Sequence, residues 1–488
     1  MNMPFLLSLI IFSPLIGISI LAFIRNTDAA KTVGILSTIP AVFLTSFIYF
    51  MYQSGESLER FSEKKQWLSF GSFPVHYELA IDEFSLIMLM LTSVLALCSS
   101  IASIYIKTGL RAYFMLFLLL EIGMLGVFLA QNLILFFLFF EITLIPLFFL
   151  IGKWGYRKKE ETAFYFLIYN GLGSAVLLIA ISVLFAKTGT VNITDLKEIM
   201  AGTAVSDELK LGLLVSLLIA FGVKLPIFPL HSWVIKVHSE APIPVVMLHS
   251  GILLKIGAYG LIRFGIGLFP NEFEKLSMMI MILGLINLLY GAFLALIVKE
   301  FKKVLAYASI SHMGIILLGL GALNEAGVQG AIFQVVSHGI ISALFFFLVG
   351  IIADRTGRTD LTNISGLAKG MPLAAGCLLM AGMASLALPG TSGFISEFTV
   401  FLGVFKTMPV IASIGVIAII LTAVYVLQAV LNITFGKGSS LKDVRKFEFM
   451  PILLLIGIII SIGIYPNSLA KPLQQTVETI TKSLEADK

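Results

Sequence analysis

Glu141 is the only ionisable residue in the apolar run from Asn132 to Gly152 (NLILFFLFFEITLIPLFFLIG). A charge at the centre of a membrane-spanning helix costs about 2.5–3.5 kcal/mol on insertion scales, and such residues mark pathways for ions or protons. Lys224, Lys255 and Glu397 lie in three other apolar segments. Carboxyl and amine groups can pass protons to one another, so these four positions predict a proton relay inside a membrane.

Two histidines in apolar segments could join this relay. His312 lies in AYASISHMGIILLG and His338 in FQVVSHGIISALFFF. Histidine titrates at a pH of about 6.5, which suits a proton shuttle. Two alternatives stay open: either histidine could be a hydrogen-bonded core residue, and the pair could bind a haem.

Four further ionisable residues have less defined roles. Glu121 (FLLLEIGMLGVF) is an intramembrane carboxyl that could lie at the edge of the relay. His231 and His238 are expected to flank the cytoplasmic end of one helix, where they could take up protons or merely interact with solvent. His249 precedes Lys255 by six residues, about 120° around an α-helix, so we expect it to face elsewhere.

The composition defines the class of protein. The 488 residues are 58% hydrophobic and 12% charged, with a mean hydropathy of +1.01. About 20 apolar residues in a helix cross the roughly 30 Å hydrocarbon layer. We therefore predict an all-α polytopic membrane protein with about 14 transmembrane helices. The runs lie near 4–24, 32–52, 80–106, 112–130, 132–152, 162–186, 211–235, 241–266, 276–298, 303–322, 327–353, 371–405, 408–435 and 450–468.

The seventh and twelfth runs are interrupted. Pro226 and Pro229 follow Lys224 in FGVKLPIFPLHSW, and the segment 388–393 (LPGTSG) precedes Glu397. Proline removes a backbone donor and clashes with the preceding turn, and paired broken helices point to a transport site. A simple proline kink is the alternative for each helix.

The two breaks lie five helices apart, which predicts two five-helix repeats, helices 4–8 and helices 9–13. An odd number of crossings inverts the second repeat in the membrane. Glu141 then matches the position of His312, and Lys224 matches that of Glu397. We expect one transmembrane domain over residues 1–488. Its segments are the N-terminal helices (1–111), the first repeat (112–266), the second repeat (276–435) and the last helix with the tail (450–488).

Pairing between Glu141 and Lys224 is expected because each is a charge in an apolar helix. An opposite charge within about 4–6 Å favours the ionised forms, whereas desolvation opposes them. A change that weakens the pair would release the proton of Lys224 toward the later groups and finally Glu397. The alternative is a static ion pair that joins two helices.

Basic loop residues predict the orientation. Most fall in the odd-numbered connections, and the contrast is sharpest between Gly155–Lys159 (GYRKK) and the uncharged Gln131–Asn132 connection. The positive-inside rule places the basic loops in the cytoplasm. We therefore expect a multi-pass protein of the cell inner (plasma) membrane with both termini on the outer side. The first run lacks a basic start and a cleavage site, so it is expected to be retained rather than removed as a signal peptide.

Two stretches between the runs are long enough to fold over a surface. Residues 53–79 alternate apolar and polar side chains, which predicts a strand or hairpin on the outer face. Residues 187–210 are polar and predict a short helix over Asp195–Met200, with Thr194 as its N-cap.

Several functional classes are disfavoured. The net charge of +5 follows from the loop asymmetry and does not indicate nucleic-acid binding. Cys98 and Cys377 are isolated in apolar runs, which argues against metal clusters and a disulfide framework. The sequence has neither a GxGxxG after a strand nor a P-loop. We expect no cofactor or metal in this chain, so any redox or nucleotide chemistry would belong to partners.

Several motifs together resemble one family, the antiporter-like membrane subunit M of proton-pumping complex I, the counterpart of mitochondrial NADH dehydrogenase chain 4. The likeness runs from about residue 80 to 435. It is carried by FFEITLIPLFFLIGKWG, FGVKLPIFPLHSW followed by HSEAP, SGILLKIGAYGLIRF, EFKKVLAYASISHMG and LPGTSGFISEF. One departure is VIKVH at 234–238, where many bacterial relatives have Leu-Pro-Asp-Ala-His, so this chain lacks the acidic residue of those relatives at this position.

The resemblance implies a fourteen-helix subunit of a membrane arm, with two inverted repeats and a central hydrophilic axis. By position in these motifs, Glu141 and Lys224 would be the input pair and Lys255 the central lysine. His312 and His338 would be relay members, and Glu397 the terminal group.

The expected activity is proton translocation within a respiratory, quinone-reducing NADH:quinone oxidoreductase, driven by electron transfer in other subunits. Those subunits would carry flavin and Fe–S clusters, and the quinone would bind elsewhere. The expected partners are neighbouring antiporter-like subunits and the lipid bilayer. The alternatives are a subunit of a multi-subunit Na⁺/H⁺ antiporter, or a stand-alone solute transporter or scaffold.

Overall fold

The protein is represented by a computed structural model that describes residues 5–70, 73–357, 359, 364–437 and 441–485. The helices in chain order are α1 (Leu6–Phe23), α2 (Thr27–Leu36), α3 (Ile39–Gln53), α4 (Glu83–Ala102), α5 (Leu110–Leu129), α6 (Leu133–Trp154), α7 (Lys159–Thr188), α8 (Ile193–Ala201), α9 (Asp207–Lys224), α10 (Ser232–Glu240), α11 (Ile243–Leu248), α12 (Leu254–Gly260), α13 (Pro270–Ile297), α14 (Phe301–Gly321), α15 (Glu325–Thr356), α16 (Leu367–Gly370), α17 (Pro372–Ser385), α18 (Ser392–Thr407), α19 (Pro409–Thr434), α20 (Lys446–Ile464) and α21 (Asn467–Glu485). Two strands, β1 (Glu63–Phe70) and β2 (Phe73–Leu79), complete the regular structure together with short 3₁₀ and π-helical turns.

The predicted class, an all-α polytopic membrane protein, is confirmed. Among the described residues, twelve helical stretches are long and apolar enough to cross a membrane. One of them, Thr27–Gln53, joins α2 and α3, and another, Ile243–Ile266, joins α11 and α12 with π-helical turns. The other two predicted crossings, the interrupted runs 211–235 and 371–405, stay predictions.

Both predicted interruptions are present. Helix α9 ends at Lys224 and α10 begins at Ser232, so Pro226 and Pro229 lie in the gap. Helix α17 ends at Ser385 and α18 begins at Ser392. At each interruption one helix ends and a new helix begins several residues later. A simple proline kink, the alternative considered above, would have left a single bent helix. The inverted symmetry between the two repeats stays a prediction.

The second interruption depends on glycine. Gly390 has a φ of +94°, a backbone conformation that residues with a Cβ rarely adopt. A Cβ on Gly393 would lie 2.2 Å from the carbonyl oxygen of Ala384. The chain can therefore turn between α17 and α18 only with residues this small at the two positions.

The chain divides into two compact units. The first unit is drawn from Met1–Ser100, Ile106–Lys224 and Ile256–Phe273, and the second from Ile101–Tyr105, Leu225–Lys255 and Glu274–Lys488. One boundary therefore falls at the break that follows Lys224. The predicted single domain and its segment limits stay predictions.

In the first unit, α5 packs closely against α6. A Cβ on Gly126 would lie 2.2 Å from the ring of Phe139, and one on Gly123 would lie 3.1 Å from the Phe139 carbonyl oxygen. Small residues let membrane helices approach one another in this way. This packing fixes the helix that carries Glu141.

The segment 53–79 contains the predicted hairpin. Strands β1 and β2 are antiparallel, with Lys64 opposite Glu78 and an Nζ–Oε1 distance of 3.3 Å between them. The outer-face location stays a prediction. The polar stretch 187–210 contains α8, but the predicted N-cap at Thr194 is wrong. Asn192 caps the helix, because its side chain accepts hydrogen bonds from the N–H groups of Thr194 and Asp195.

Hydrogen bonds join this hairpin to the starts of two helices. Asn192, the N-cap of α8, donates through Nδ2 to Oε2 of Glu78 at 2.7 Å. Asn132, the N-cap of α6, donates to the carbonyl oxygen of His76 at 2.5 Å. The hairpin is thus connected to the helix of Glu141.

In the second unit, α15 forms the core. The most apolar stretch of this helix is completely buried inside the chain. A Cβ on Gly330 would lie 2.5 Å from the backbone nitrogen of Val400, so α15 and α18 approach closely. This close approach brings polar side chains of α15 next to Glu397 on α18.

An ion pair in the first unit joins a loop to a membrane-spanning segment. Arg263, in the π-helical turn Leu261–Ile266, binds the carboxylate of Asp82. The same carboxylate accepts a hydrogen bond from the N–H of Ser85 at 2.8 Å. Burial alone would raise the pKa of Asp82, but the Arg263 guanidinium and the Ser85 hydrogen bond outweigh burial and lower it.

Because the pKa of Asp82 is lowered in the folded protein, its stabilisation is complete above the unfolded-state pKa and is lost as the pH falls through the folded-state value. Asp82→Asn should lower the free energy of unfolding by about 1–3 kcal/mol at neutral pH. Thermal unfolding in detergent should show a gap from wild type that narrows at acidic pH. Lys64→Gln, which removes an exposed ion pair, should change little. A gap independent of pH would contradict the assignment.

Candidate functional site

In the first unit, Lys224 is the last residue of α9 and is only 3% exposed. Its Nζ lies 4.6 Å from the ring centroid of Phe140, a cation–π distance. The negative end of the α9 dipole also favours a cation at this position. Two features of the structure therefore support a charged amine in an apolar segment.

Glu141 follows Phe140 on α6, and its charge interacts electrostatically with Lys224. The described ion pairs and hydrogen bonds include none that joins the two side chains directly, and Oε1 of Glu141 has no hydrogen-bond partner in the described structure. Glu141 is partly exposed on the surface of the chain, whereas Lys224 is buried. The close pairing expected from the sequence stays a prediction.

In the second unit, Asn287 on α13 binds the backbone in the gap after α9. Its Oδ1 accepts the N–H of Phe228 at 2.7 Å, and its Nδ2 donates to the carbonyl oxygen of Pro226 at 3.0 Å. Buried backbone groups outside a helix need such partners. One amide side chain therefore satisfies two of the backbone polar groups of this gap.

Lys255 follows a π-helical turn, His249–Leu253. Its Nζ donates to the carbonyl oxygen of Ser250 and lies 2.7 Å from Nδ1 of His338. Lys255 has no exposed surface. The π-helical turn and the histidine together provide acceptors for a fully buried amine, and π-helical turns occur frequently at functional sites.

Next to this pair, the ring of His312 lies 5.2 Å from that of His338, centroid to centroid. His312 Nδ1 lies 3.3 Å from Oε1 of Glu397 and 3.1 Å from Nε2 of Gln334. Unprotonated, this nitrogen accepts from the Gln334 amide; protonated, it donates to Glu397. The arrangement therefore suits either protonation state of His312.

Four serine side chains lie near these groups. Ser396 donates to Oε1 of Gln334 at 2.5 Å, which orients the amide so that its nitrogen faces His312. Ser385 Oγ lies 3.5 Å from Nε2 of His312, and Ser337 bonds Ser392 at 2.8 Å. Ser385 and Ser396 thus help to position the His312 ring and the Gln334 amide.

A cavity of about 10 Å³ lies among His312, Gln334, Ser337, His338, Ser385 and Glu397. This is about the space that one water molecule needs. Acids and bases from Lys255 to Glu397 are therefore in contact or separated by the space of one water, an arrangement that can carry a proton.

His238 and His249 form a further pair in the second unit, with 2.9 Å between Nε2 and Nδ1. The rings of Trp233 and Phe346 pack against this pair. His231 is also buried and stacks on Phe228. Of the two alternatives for His231 and His238, mere interaction with solvent does not fit, because both side chains are buried; the uptake of protons stays a prediction.

Glu121 on α5 is fully buried in the first unit. Neither of its carboxyl oxygens has a hydrogen-bond partner within the described residues. A buried ionised carboxylate without a partner is costly, so this environment favours the neutral acid. The place of Glu121 at the edge of the relay stays a prediction.

Sequence reasoning missed the neutral members of the site, namely Gln334, Asn287, Ser385 and Ser396. A buried amide or hydroxyl in a long apolar helix is the signal that could have found Gln334 and Asn287. Among the described residues, no group of three or more His, Cys, Asp or Glu side chains is arranged to hold a metal ion. The described cysteines, Cys98 and Cys377, are free and buried.

The fold and the site define a polytopic membrane protein with ionisable side chains inside its helical units, as in proteins that move ions. The family described as "NADH:quinone oxidoreductase/Mrp antiporter, TM" matches residues 130–422, a range that contains all six predicted relay residues.

Two relatives extend this match. NADH-quinone oxidoreductase subunit M of Rickettsia prowazekii (strain Madrid E) is 33% identical over 486 residues, covering 97% of this chain and 98% of the relative. NAD(P)H-quinone oxidoreductase chain 4 1 of Synechococcus sp. (strain JA-2-3B'a(2-13)) is 38% identical over 443 residues, covering 87% and 82%. A chain in the structure of respiratory complex I from Thermus thermophilus with bound NADH superposes with a TM-score of 0.89 at 27% identity, covering 98% and 99%. The chain belongs to the family of membrane subunits of NADH:quinone oxidoreductases and Mrp antiporters.

The hydrogen bond between Gln334 and His312 gives a prediction for the site. Gln334→Leu removes the amide that orients the ring, and misplacing a reacting group costs about tenfold or more in rate. We expect proton translocation by vesicles that contain the assembled protein to fall at least about tenfold, with assembly unchanged. Ser309→Ala is the matched control, since it removes a buried hydroxyl of α14 that binds the Leu305 carbonyl. Equal loss in both variants would contradict a specific role of Gln334.

Proposed function

We propose that this chain is a proton-translocating membrane-arm subunit of a respiratory, quinone-reducing NADH:quinone oxidoreductase. The single observation that carries the proposal is the series Lys255, His338, His312 and Glu397, held together in the second unit by contacts between their side chains. Near full-length relatives named NADH-quinone oxidoreductase subunit M support the choice of complex.

In this proposal, Glu141 and Lys224 are the input pair. The electrostatic interaction between them supports this role, since loss of the negative charge on Glu141 makes Lys224 easier to deprotonate. The opening event would be protonation of Glu141 or its movement away from Lys224. Lys224 then gives up its proton.

The later steps follow from the contacts of the second unit. The Lys255 ammonium gives a proton to Nδ1 of His338, with which it is in hydrogen-bond contact. The proton passes to His312, across a distance that one water molecule can bridge. His312 Nδ1 then donates to Oε1 of Glu397, which is the terminal group. Lys255 returns to the ammonium form when it receives the next proton, each histidine becomes neutral again when it passes its proton on, and Glu397 returns to the carboxylate when it releases the proton.

Moving one charge against 100 mV requires about 2.3 kcal/mol. This chain has no redox centre in the proposal, so electron transfer in other subunits must supply that energy. Those subunits carry flavin and Fe–S clusters and bind the quinone. The neighbours of this chain are other antiporter-like subunits and the lipid bilayer of the cell inner (plasma) membrane, with both termini on the outer side.

A second candidate function is a subunit of a multi-subunit Na⁺/H⁺ antiporter, because the matching family includes Mrp antiporters. The polypeptides that co-purify in mild detergent separate the two functions. Partners that carry flavin and Fe–S clusters support the oxidoreductase, whereas antiporter subunits alone support the second candidate. A stand-alone transporter would purify without partners.

Glu141→Gln tests the input pair. The amide keeps the size of the side chain but cannot ionise, so electron-transfer-driven proton pumping should be abolished or fall by more than about tenfold. The measurement is acidification of inverted vesicles, with assembly followed by native electrophoresis. Glu198→Gln, at an exposed position of α8, is the matched control. Near-normal pumping by assembled Glu141→Gln would refute the input role.

Lys224 can be tested with two substitutions. Lys224→Ala removes the amine, and Lys224→Arg keeps the charge but cannot release a proton at physiological pH. Both should reduce pumping by more than about tenfold if Lys224 passes a proton on. If Lys224 only supplies a fixed charge at the end of α9, Arg should restore pumping while Ala should not.

A further inference from the structure

A surface cleft lies in the first unit where α6 ends and α7 begins. It encloses about 360 Å³, within the size range of small-molecule sites. The residues around it divide into an aromatic part and a charged part. None of them belongs to the relay.

The aromatic part consists of Phe148, Phe149 and Phe164. The Phe148 ring packs edge to face against Phe149 at 5.2 Å and against Phe164 at 5.4 Å, centroid to centroid. Phe149 remains 49% exposed and Phe164 59% exposed. This part of the cleft offers an apolar surface of the kind that acyl chains cover in a membrane.

The charged part consists of Lys153, Lys159 and Glu160. Lys159 Nζ donates to the carbonyl oxygen of Lys153 at 3.0 Å, which leaves two of its three N–H donors for a ligand. Arg157 and Lys158 are exposed in the connecting loop. Basic side chains therefore outnumber acidic ones at this end of the cleft.

Trp154 places the cleft at the level of lipid head groups. Its indole Nε1 donates to the carbonyl oxygen of Thr108 at 2.7 Å, and Lys153 Nζ lies 4.9 Å from its ring. Tryptophan is enriched at membrane–water interfaces, and basic pockets between membrane helices bind anionic head groups. The apolar and cationic parts thus match the two parts of an acidic lipid.

We propose that this cleft binds an anionic glycerophospholipid of the phosphatidylglycerol type. Lys153 and Lys159 bind the phosphate, Glu160 accepts a hydrogen bond from a head-group hydroxyl, and an acyl chain lies across Phe149 and Phe164. The lipid would bridge the end of α6, the helix of Glu141, and the start of α7.

The test uses the full-length chain in phosphatidylcholine vesicles that contain a few per cent of phosphatidylglycerol with brominated acyl chains, which quench tryptophan. The fluorescence of Trp154 should fall with a saturable dependence on brominated phosphatidylglycerol, and Trp154→Phe should remove that component. The double variant Lys153→Gln/Lys159→Gln should weaken the apparent affinity by about tenfold or more, since each basic residue near an anionic lipid contributes about fivefold.

Lys187→Gln is the control, because it removes an exposed lysine at the other end of α7. It should leave the quenching unchanged. Equal quenching by brominated phosphatidylcholine would overturn the proposal, as would equal affinity in the double variant. A third result would also overturn the proposal. If the assembled complex shows no saturable quenching and a photoreactive group at position 149 cross-links to another polypeptide, the cleft is a contact between subunits instead. Unchanged thermal unfolding of each variant shows that a lost signal is not caused by misfolding.

Discussion

The contact between Lys255 Nζ and His338 Nδ1 is the interaction on which the second unit depends. A buried amine needs acceptors, and regular α-helices have none free because their carbonyls are already bonded. The chain provides one acceptor by loosening a helix into a π-helical turn, where the Ser250 carbonyl becomes available, and another from His338. The buried polar side chains of the site on α14, α15 and α18, up to Glu397, likewise have other side chains as hydrogen-bond partners.

Both helix interruptions expose backbone polar groups in an apolar layer. The structure provides hydrogen-bond partners for these groups in a different way at each gap. After α9, the amide of Asn287 satisfies the backbone that Pro226 and its neighbours expose. Between α17 and α18, glycines allow a tight turn, and the Thr391 hydroxyl bonds the Leu388 carbonyl at 2.7 Å. Close helix packing at glycines then fixes the relay side chains at bonding distances in the second unit.

The sequence pointed to the ionisable residues of this candidate site, whose roles stay predictions, and not to its neutral members. Ionisable residues stand out in apolar runs, and the prolines after Lys224 indicate a helix break. Gln334 and Asn287 cannot be told from ordinary polar residues in the sequence, because their partners lie on other helices or in distant segments. His249 shows a second limit. Its direction was derived from 100° per residue, whereas residues 249–253 form a π-helical turn and the ring pairs with His238, so its expected direction away from Lys255 stays a prediction. Similarly, the preference of threonine for helix N-caps suggested Thr194 as the N-cap of α8, whereas Asn192 is the N-cap in the structure.

The small cavity between His338 and Glu397 has a consequence for ion selectivity. A proton crosses such a space by exchanging bonds along one water molecule, without any ion having to occupy the volume. A sodium ion would have to enter as a body and replace its hydration shell with several oxygen ligands. The cavity has a volume of about 10 Å³. The side-chain oxygen atoms that line it belong to Gln334, Ser337, Ser385 and Glu397. The space therefore suits transfer of a proton through one water molecule, and it offers few oxygen ligands for a larger cation.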